Sequence, residues 1–235
     1  MSGAYETAHP HPDGDSTVAR LALTAAEQGY DGLVVRTHAD GEAESYDPTA
    51  IGERYGLDVV AGVEIRAADR GRVASAIGTE RDRRTVVCVH GGEHNRLACE
   101  DPRVDVLAHP MADGDVNHVL ANAAADNGVR LEFDFGPVLR TTGGERVRAL
   151  RGLRKLREIV TACDAPYVVS ADARSHLHLR APRELVAVGE QIGFTREQVE
   201  SGLAEWGRLA ERNRERASDS FIEPGVRRGR YEEDD

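Results

Sequence analysis

Seven short apolar segments, rich in β-branched residues and separated by helical or turn-forming stretches, constrain this chain more than any other feature. "AYETAH" (4–9), "DGLVVR" (31–36), "DVVAGVEI" (58–65), "TVVCVH" (85–90), "VDVLAH" (104–109), "VRLEFDF" (129–135) and "APYVVSAD" (165–172) read as short buried strands. That is the pattern of a parallel sheet covered by helices. Between them, "STVARLALTAAEQ" opens at a capping Ser16, repeats Val18, Leu21, Ala22 and Ala25, and stops at Gly29. "VNHVLANAAADNG" ends in the same way at Asn127-Gly128, and Thr195 with Gln198 forms a capping box before a long terminal helix. Trp206 in that helix, flanked by Leu203 and Leu209, reads as an apolar anchor. No Gly-rich phosphate loop follows the first strand. The alternation therefore predicts an α/β fold of the TIM-type (β/α) barrel kind, with about seven parallel strands, rather than an open nucleotide-binding sheet. The expected division is one barrel over 1–218 and a basic, then acidic, C-terminal tail over 219–235.

In such a barrel, functional side chains gather where strands end. Here those ends carry His9 and His11, Arg36 and His38, Glu64, His90, His109, Glu132 and Asp134, and Asp172. Residues i and i+2 of a strand share a face, so His9 and His11 are expected to converge on one ion. Imidazole nitrogens and carboxylate oxygens suit zinc, manganese or iron, and such clusters activate water for phosphoester hydrolysis.

The charge balance is unusual in kind. Acidic residues number 41 against 30 basic ones, a net charge of −11, yet Lys155 is the single lysine. A strongly acidic, lysine-poor surface keeps a protein hydrated where salt screens ordinary charge, and so points to a salt-loving source. It does not exclude a nucleic-acid partner. Cys88, Cys99 and Cys163 are odd in number and far apart, which argues against a disulfide framework or a cysteine-based zinc site and for a reducing cytoplasm. No apolar run is long enough to span a membrane, and no secretory signal is visible.

The strand ends resemble those of the polymerase-and-histidinol-phosphatase (PHP) superfamily, whose barrels open on H-x-H, matched by "HPH" at 9–11. Its T-D-H motif appears as "RTH" at 36–38, so His38 fits while Thr37 replaces the aspartate. Glu64 in "GVEIR", His90 and His109 fall at later ligand positions of that family. The final D-x-H reads "DAR" at 172–174, and Arg174 cannot ligate a metal because its guanidinium stays protonated. The resemblance implies a distorted, PHP-like barrel with a metal site largely present but altered at two places.

A closer resemblance runs from about residue 58 to the end. "GVEIR" (62–66), "HGGEHNRLACE" (90–100), "DVLAHPMADGDVNHVLANAAADNGVRLEFDF" (105–135), "RGLRKLREIVTACDAPYVVSADARSHLHLRAPRELVAV" (151–188) and "GVRRGRYE" (225–232) are similar to the archaeal ribonuclease P protein component 3 family. That family is related to the eukaryotic thirty-kilodalton subunit, and Asn95, Arg96 and Asp172 lie in the motifs that carry the likeness. The resemblance implies a subunit of the endonuclease that removes 5′ leaders from precursor tRNA. In that assembly the RNA subunit holds the catalytic magnesium and the protein contributes no catalytic residue. The implied partners are ribonuclease P RNA, precursor tRNA, a small RRM-like subunit and other archaeal ribonuclease P proteins. His9, His11, Glu64, His90, His109 and Asp172 then form a vestigial or optional site for zinc, manganese or magnesium, with no cofactor tightly required.

The basic residues agree with an RNA partner. Arg140, Arg146, Arg148, Arg151, Arg154, Lys155 and Arg157 cluster on one stretch, and Arg208, Arg212, Arg214, Arg216, Arg227, Arg228 and Arg230 on another. Arg151, Arg154, Lys155 and Glu158 share one helical face, along which arginine forks can follow phosphates. Arg148, Arg151, Arg154, Lys155, Arg227 and Arg228 are the expected RNA contacts. The alternatives are a stand-alone metal-dependent PHP-type phosphoesterase and a plain binding barrel.

Overall fold

The computed structural model describes residues 3–39, 45–111, 116–218, 221–223 and 226–227. All seven expected strands form: β1 (Tyr5–Ala8), β2 (Gly32–His38), β3 (Asp58–Ile65), β4 (Val86–His90), β5 (Val106–Ala108), β6 (Arg130–Asp134) and β7 (Tyr167–Ser170). Each pairs in parallel with its chain neighbour, in the order β1 to β7. A parallel bridge between Ala8 and Ala173 joins the two edges, with His9 N donating to Ala173 O at 2.8 Å and Ala173 N to Thr7 O at 3.1 Å. The sheet closes into a barrel.

Helices α1 (Val18–Glu27), α2 (Pro48–Tyr55), α3 (Arg70–Arg81), α4 (Asn95–Glu100) and α5 (His118–Asn127) follow the first five strands. Then come α6 (Gly136–Arg140), α7 (Gly143–Cys163), α8 (Pro182–Ile192) and α9 (Arg196–Arg216). The cap of α1 is a correction. Thr17, not Ser16, accepts from Arg20 N, because the Ser16 hydroxyl instead meets His176 Nδ1 at 2.9 Å and accepts from His176 N. The capping box of Thr195 and Gln198 forms as expected. So does the left-handed stop of α5 at Gly128.

The period of two along each strand splits the apolar side chains into two layers. One, including Leu33, Val35, Val63, Val87, Leu107, Leu131 and Val169, packs against the surrounding helices. The other lies inside the barrel: Val34, Val60, Val86, Cys88, Val106, Ala108 and Val168 meet Trp206, Leu209 and Ala210 of α9. The terminal helix is therefore the floor of the barrel rather than another member of the outer ring. Polar contacts at the strand starts hold it there. Arg214 pairs with Asp58 at 2.8 Å, Arg212 and Asn213 with Asp105 at 2.7 and 2.9 Å, and Arg130 with Glu205 at 2.8 Å. Gly202 permits this approach, since a Cβ there would come within 2.6 Å of Val169 Cγ2.

Beyond α9, β8 (Phe221–Glu223) and β9 (Val226–Arg227) pair antiparallel. Arg228 and Arg230 lie outside the described residues. All three cysteines are free thiols, two of them buried. Among the described residues no helix is long and apolar enough to cross a membrane.

Candidate functional site

Inside the barrel the strands change character half-way up. Arg36 and His38, Glu64, His90 and Ser170 lie on the same faces as the valines below them, two or four residues further along, and Glu132 and Asp134 stand above Arg130. With His9 and His109, which directly follow β1 and β5, and Asp172, two residues past β7, they make a polar ring above the apolar floor. Strand register sets Arg36 opposite Gly62 and His38 opposite Glu64.

Arg36 is fully buried at the centre of this ring. Its Nη1 donates to Glu132 Oε1 at 2.6 Å and lies 3.3 Å from Asp172 Oδ1, while Nη2 donates to Glu64. Glu64 is the other hub, for its Oε1 also accepts from Arg66 at 2.8 Å and meets His90 Nδ1 at 2.6 Å. Burial opposes the charge on Glu64, but Arg36, the neighbouring His109 imidazole and the hydrogen bond from His90 outweigh it and hold the carboxyl well below its usual range. Asp172 shows the same balance: burial disfavours ionisation, and Arg36 and His9 more than restore it. Partial burial of His109 opposes its charge, yet its contacts with Asp134 and Glu64 keep the imidazolium favoured well above the ordinary histidine range.

Two of these groups sit on strained backbone. His109 has φ 48° and Asp172 φ 45°, left-handed values that side chains other than glycine rarely adopt. The surroundings enforce both. Arg140 donates to Ala171 O at 2.7 Å and Asp172 O at 3.3 Å, and Gly91 donates to Ala108 O at 2.7 Å, next to His109. A Cβ on Gly91 would lie 2.6 Å from His109 O.

The residues fit a divalent cation. Four overlapping sets bring ligand atoms together: His9, Asp13 and His38; Glu64, His90 and His109; His9, Glu64 and Asp172; His109, Asp134 and Asp172. His9 Nδ1, His38 Nε2 and His109 Nε2 are buried without a hydrogen-bond partner. Asp13 binds His38 Nδ1 at 2.7 Å, which fixes the tautomer and turns the Nε2 lone pair toward a ligand, the usual carboxylate–histidine–metal arrangement.

The expected set is therefore largely assembled, with His9, Glu64, His90, His109 and Asp172 in one ring. His11 is a correction. The strand ends at Ala8, so the alternation linking 9 to 11 is lost, and His11 is exposed and in none of these sets. Asp13 takes its place. The sequence signal for it was the second half of "HPHPDGD". Arg174 leans on Asp172 at 3.9 Å from the place where D-x-H barrels carry histidine. Ser170 donates to Glu132 at 2.8 Å inside the ring.

The motif pair Asn95-Arg96 divides in role. Asn95 is buried, accepts from Gly92 N at 2.9 Å and donates to Pro110 O at 3.3 Å, so it ties two loops at the barrel mouth together. Arg96 is exposed and pairs with Glu100. On α7, Arg148, Arg151, Arg154 and Lys155 are all exposed, and the first also lines a cavity of about 350 Å³ with His109, Met111, Asp134 and Leu153. The basic face thus borders the ring. Arg140 is committed to the backbone after β7, and Arg208, Arg212 and Arg214 to carboxylates under the barrel. For Arg227 only the backbone, in β9, is described.

Comparison with known proteins agrees with these features. The model of the family RNase P subunit p30 matches residues 4–218. The chain is 62% identical over 226 residues to ribonuclease P protein component 3 of Haloarcula marismortui, covering 95% of this chain and 96% of that protein. Its fold resembles a chain in the cryo-EM structure of archaeal ribonuclease P with mature tRNA (TM-score 0.82, 22% identity, 98% of this chain and 100% of that one). It also resembles a zinc-bound histidinol phosphate phosphatase from Lactococcus lactis (TM-score 0.56, 13% identity, 82% and 94%). With the match extending through every strand of the barrel, the chain belongs to the RNase P subunit p30 family, a family of ribonuclease P protein subunits.

Proposed function

We propose that this chain serves ribonuclease P as a non-catalytic protein subunit, supporting an RNA catalyst that removes 5′ leaders from precursor tRNA. The observation that carries this reading is the family match over residues 4–218. The exposed arginines of α7, beside the barrel mouth, are suited to the phosphates of ribonuclease P RNA or precursor tRNA. Arg148, Arg151, Arg154 and Lys155 form this contact, and Arg227 and Arg228 extend it. A small RRM-like subunit and the other archaeal ribonuclease P proteins complete the assembly, in the cytoplasm. Long-range attraction is weak at molar salt, so binding depends on close arginine contacts and on the partner subunits.

A second reading is favoured by the buried, unpartnered imidazole nitrogens of His9, His38 and His109. In it the ring is a working PHP-type phosphoesterase site, in which zinc or manganese supplies a Lewis acid and an activated water. The first reading takes the same ring as an optional ion site that the reaction does not use, the magnesium of catalysis being held by the RNA.

Reconstitution separates the two. The chain alone is expected to leave precursor tRNA and a generic phosphoester intact with manganese present, and to stimulate the RNA subunit with its partners. His109→Ala should keep that stimulation. Hydrolysis by the isolated chain that disappears in His109→Ala would establish the phosphoesterase instead.

A further inference from the structure

The ring presents a problem of charge that the family match does not address. Glu64, Glu132 and Asp172 come from three different parts of the barrel wall, and all three are buried. Three carboxylates brought this close in a dry interior require protons, a metal or another cation. Arg36 supplies the cation from within. It is fully buried, its two terminal nitrogens reach all three acids, and it stands two residues below His38 on the inner face of β2.

We propose that Arg36 is a built-in substitute for a structural metal ion: its guanidinium partly offsets the charge of Glu64, Glu132 and Asp172 and braces all three, so that the barrel folds without a divalent cation. A planar guanidinium suits this position better than an ammonium, since it serves several acceptors at fixed angles and keeps its proton when buried. Arg36 touches no substrate here and is a positioning residue. The imidazoles at the rim remain free to take an ion, but the wall beneath them does not depend on it. This inference concerns the barrel alone and holds whichever outcome the RNA experiment has.

The test uses the full chain in molar potassium chloride and reads melting temperature and manganese binding. Chelation should leave the wild type unchanged. Arg36→Met should melt about 10 °C lower, as expected when one partner of a buried ion network is removed. Added manganese should recover much of that loss and bind about tenfold or more tightly than to the wild type, because a neighbouring positive charge is gone. The double variant Arg36→Met with Glu132→Gln should also recover stability without manganese, since it removes one of the stranded acids. A wild type that unfolds on chelation, or an Arg36→Met protein as stable as the wild type, would overturn the proposal. So would a lesion that neither manganese nor Glu132→Gln relieves, including failure of both variants to fold.

Discussion

The indole nitrogen of Trp206 donates to the carbonyl oxygen of Val169 at 2.9 Å, fastening the terminal helix to the seventh strand beneath the barrel. Trp206 is fully buried among inward-facing valines. Trp206→Ala should cost about 3–5 kcal/mol from lost burial and the cavity left behind. Trp206→Phe, which keeps most of the packing but strands the Val169 carbonyl, should cost about 1–3 kcal/mol. Thermal or denaturant unfolding at fixed salt gives both values. Equal losses would mean that the hydrogen bond, and not the packing, holds the floor.

Asp105 is the polar counterpart of Trp206. It accepts from Val87 N at 2.8 Å, Arg81 at 2.6 Å, Arg212 at 2.7 Å and Asn213 at 2.9 Å, and is itself buried. Asp105→Ala leaves two guanidinium groups and a strand N–H without their acceptor, and is expected to cost about 3–5 kcal/mol. The same denaturation experiment checks it, and a loss below about 1 kcal/mol would remove Asp105 from the account of barrel closure.

Stability should fall as pH rises through the neutral range, because of Glu6. Burial raises its carboxyl to about 8, against weaker opposition from the N–H groups of Thr7 and Ala171 and from Tyr30. The Tyr30 hydroxyl donates to Arg180 O at 2.7 Å and, at a longer 3.3 Å, to Glu6 Oε2. A group whose folded-state value is raised binds protons better when folded. Its contribution is complete below about 4.5 and declines until pH passes about 8, by roughly 1.4 kcal/mol per pH unit at most. Glu6→Gln preserves the hydrogen-bond geometry and should remove this slope relative to wild type. Identical pH profiles for the two proteins would contradict it.

The basic residues should separate by function. Arg140→Ala releases the backbone at Ala171 and Asp172 and should lower stability by about 1–3 kcal/mol. Arg151→Ala, on the exposed face of α7, should change stability by no more than about 0.5 kcal/mol. The triple change of Arg151, Arg154 and Lys155 to alanine should reduce stimulation of precursor-tRNA processing in the reconstituted complex, with the melting temperature nearly unchanged. Full stimulation by the triple variant would place the RNA contact elsewhere.

The wall of the barrel was legible because alternation and strand length are local properties. Each apolar run, from residues 4–9 to 165–172, yielded one strand in the expected order. What happens inside the barrel was less legible. Arg36 within "LVVRTH" signals a buried cation that must be paired, but its partners lie 28 and 96 residues away. His11 failed because the i, i+2 rule applies only while the strand lasts, and β1 stops at Ala8. The second basic cluster was misleading for a related reason: composition counted Arg212 and Arg214, whereas tertiary structure paired them with Asp105 and Asp58. Periodicity marked an apolar face on α9 but could not say that this face closes the bottom of the barrel.

That arrangement bears on how the chain matures during translation. Val34, Val60 and Val86 emerge from the ribosome long before Trp206, Leu209 and Ala210, the side chains that will cover them from below. Until those last residues appear, a nascent wall has an open, greasy base. The barrel can settle into its native state only once α9 has been made.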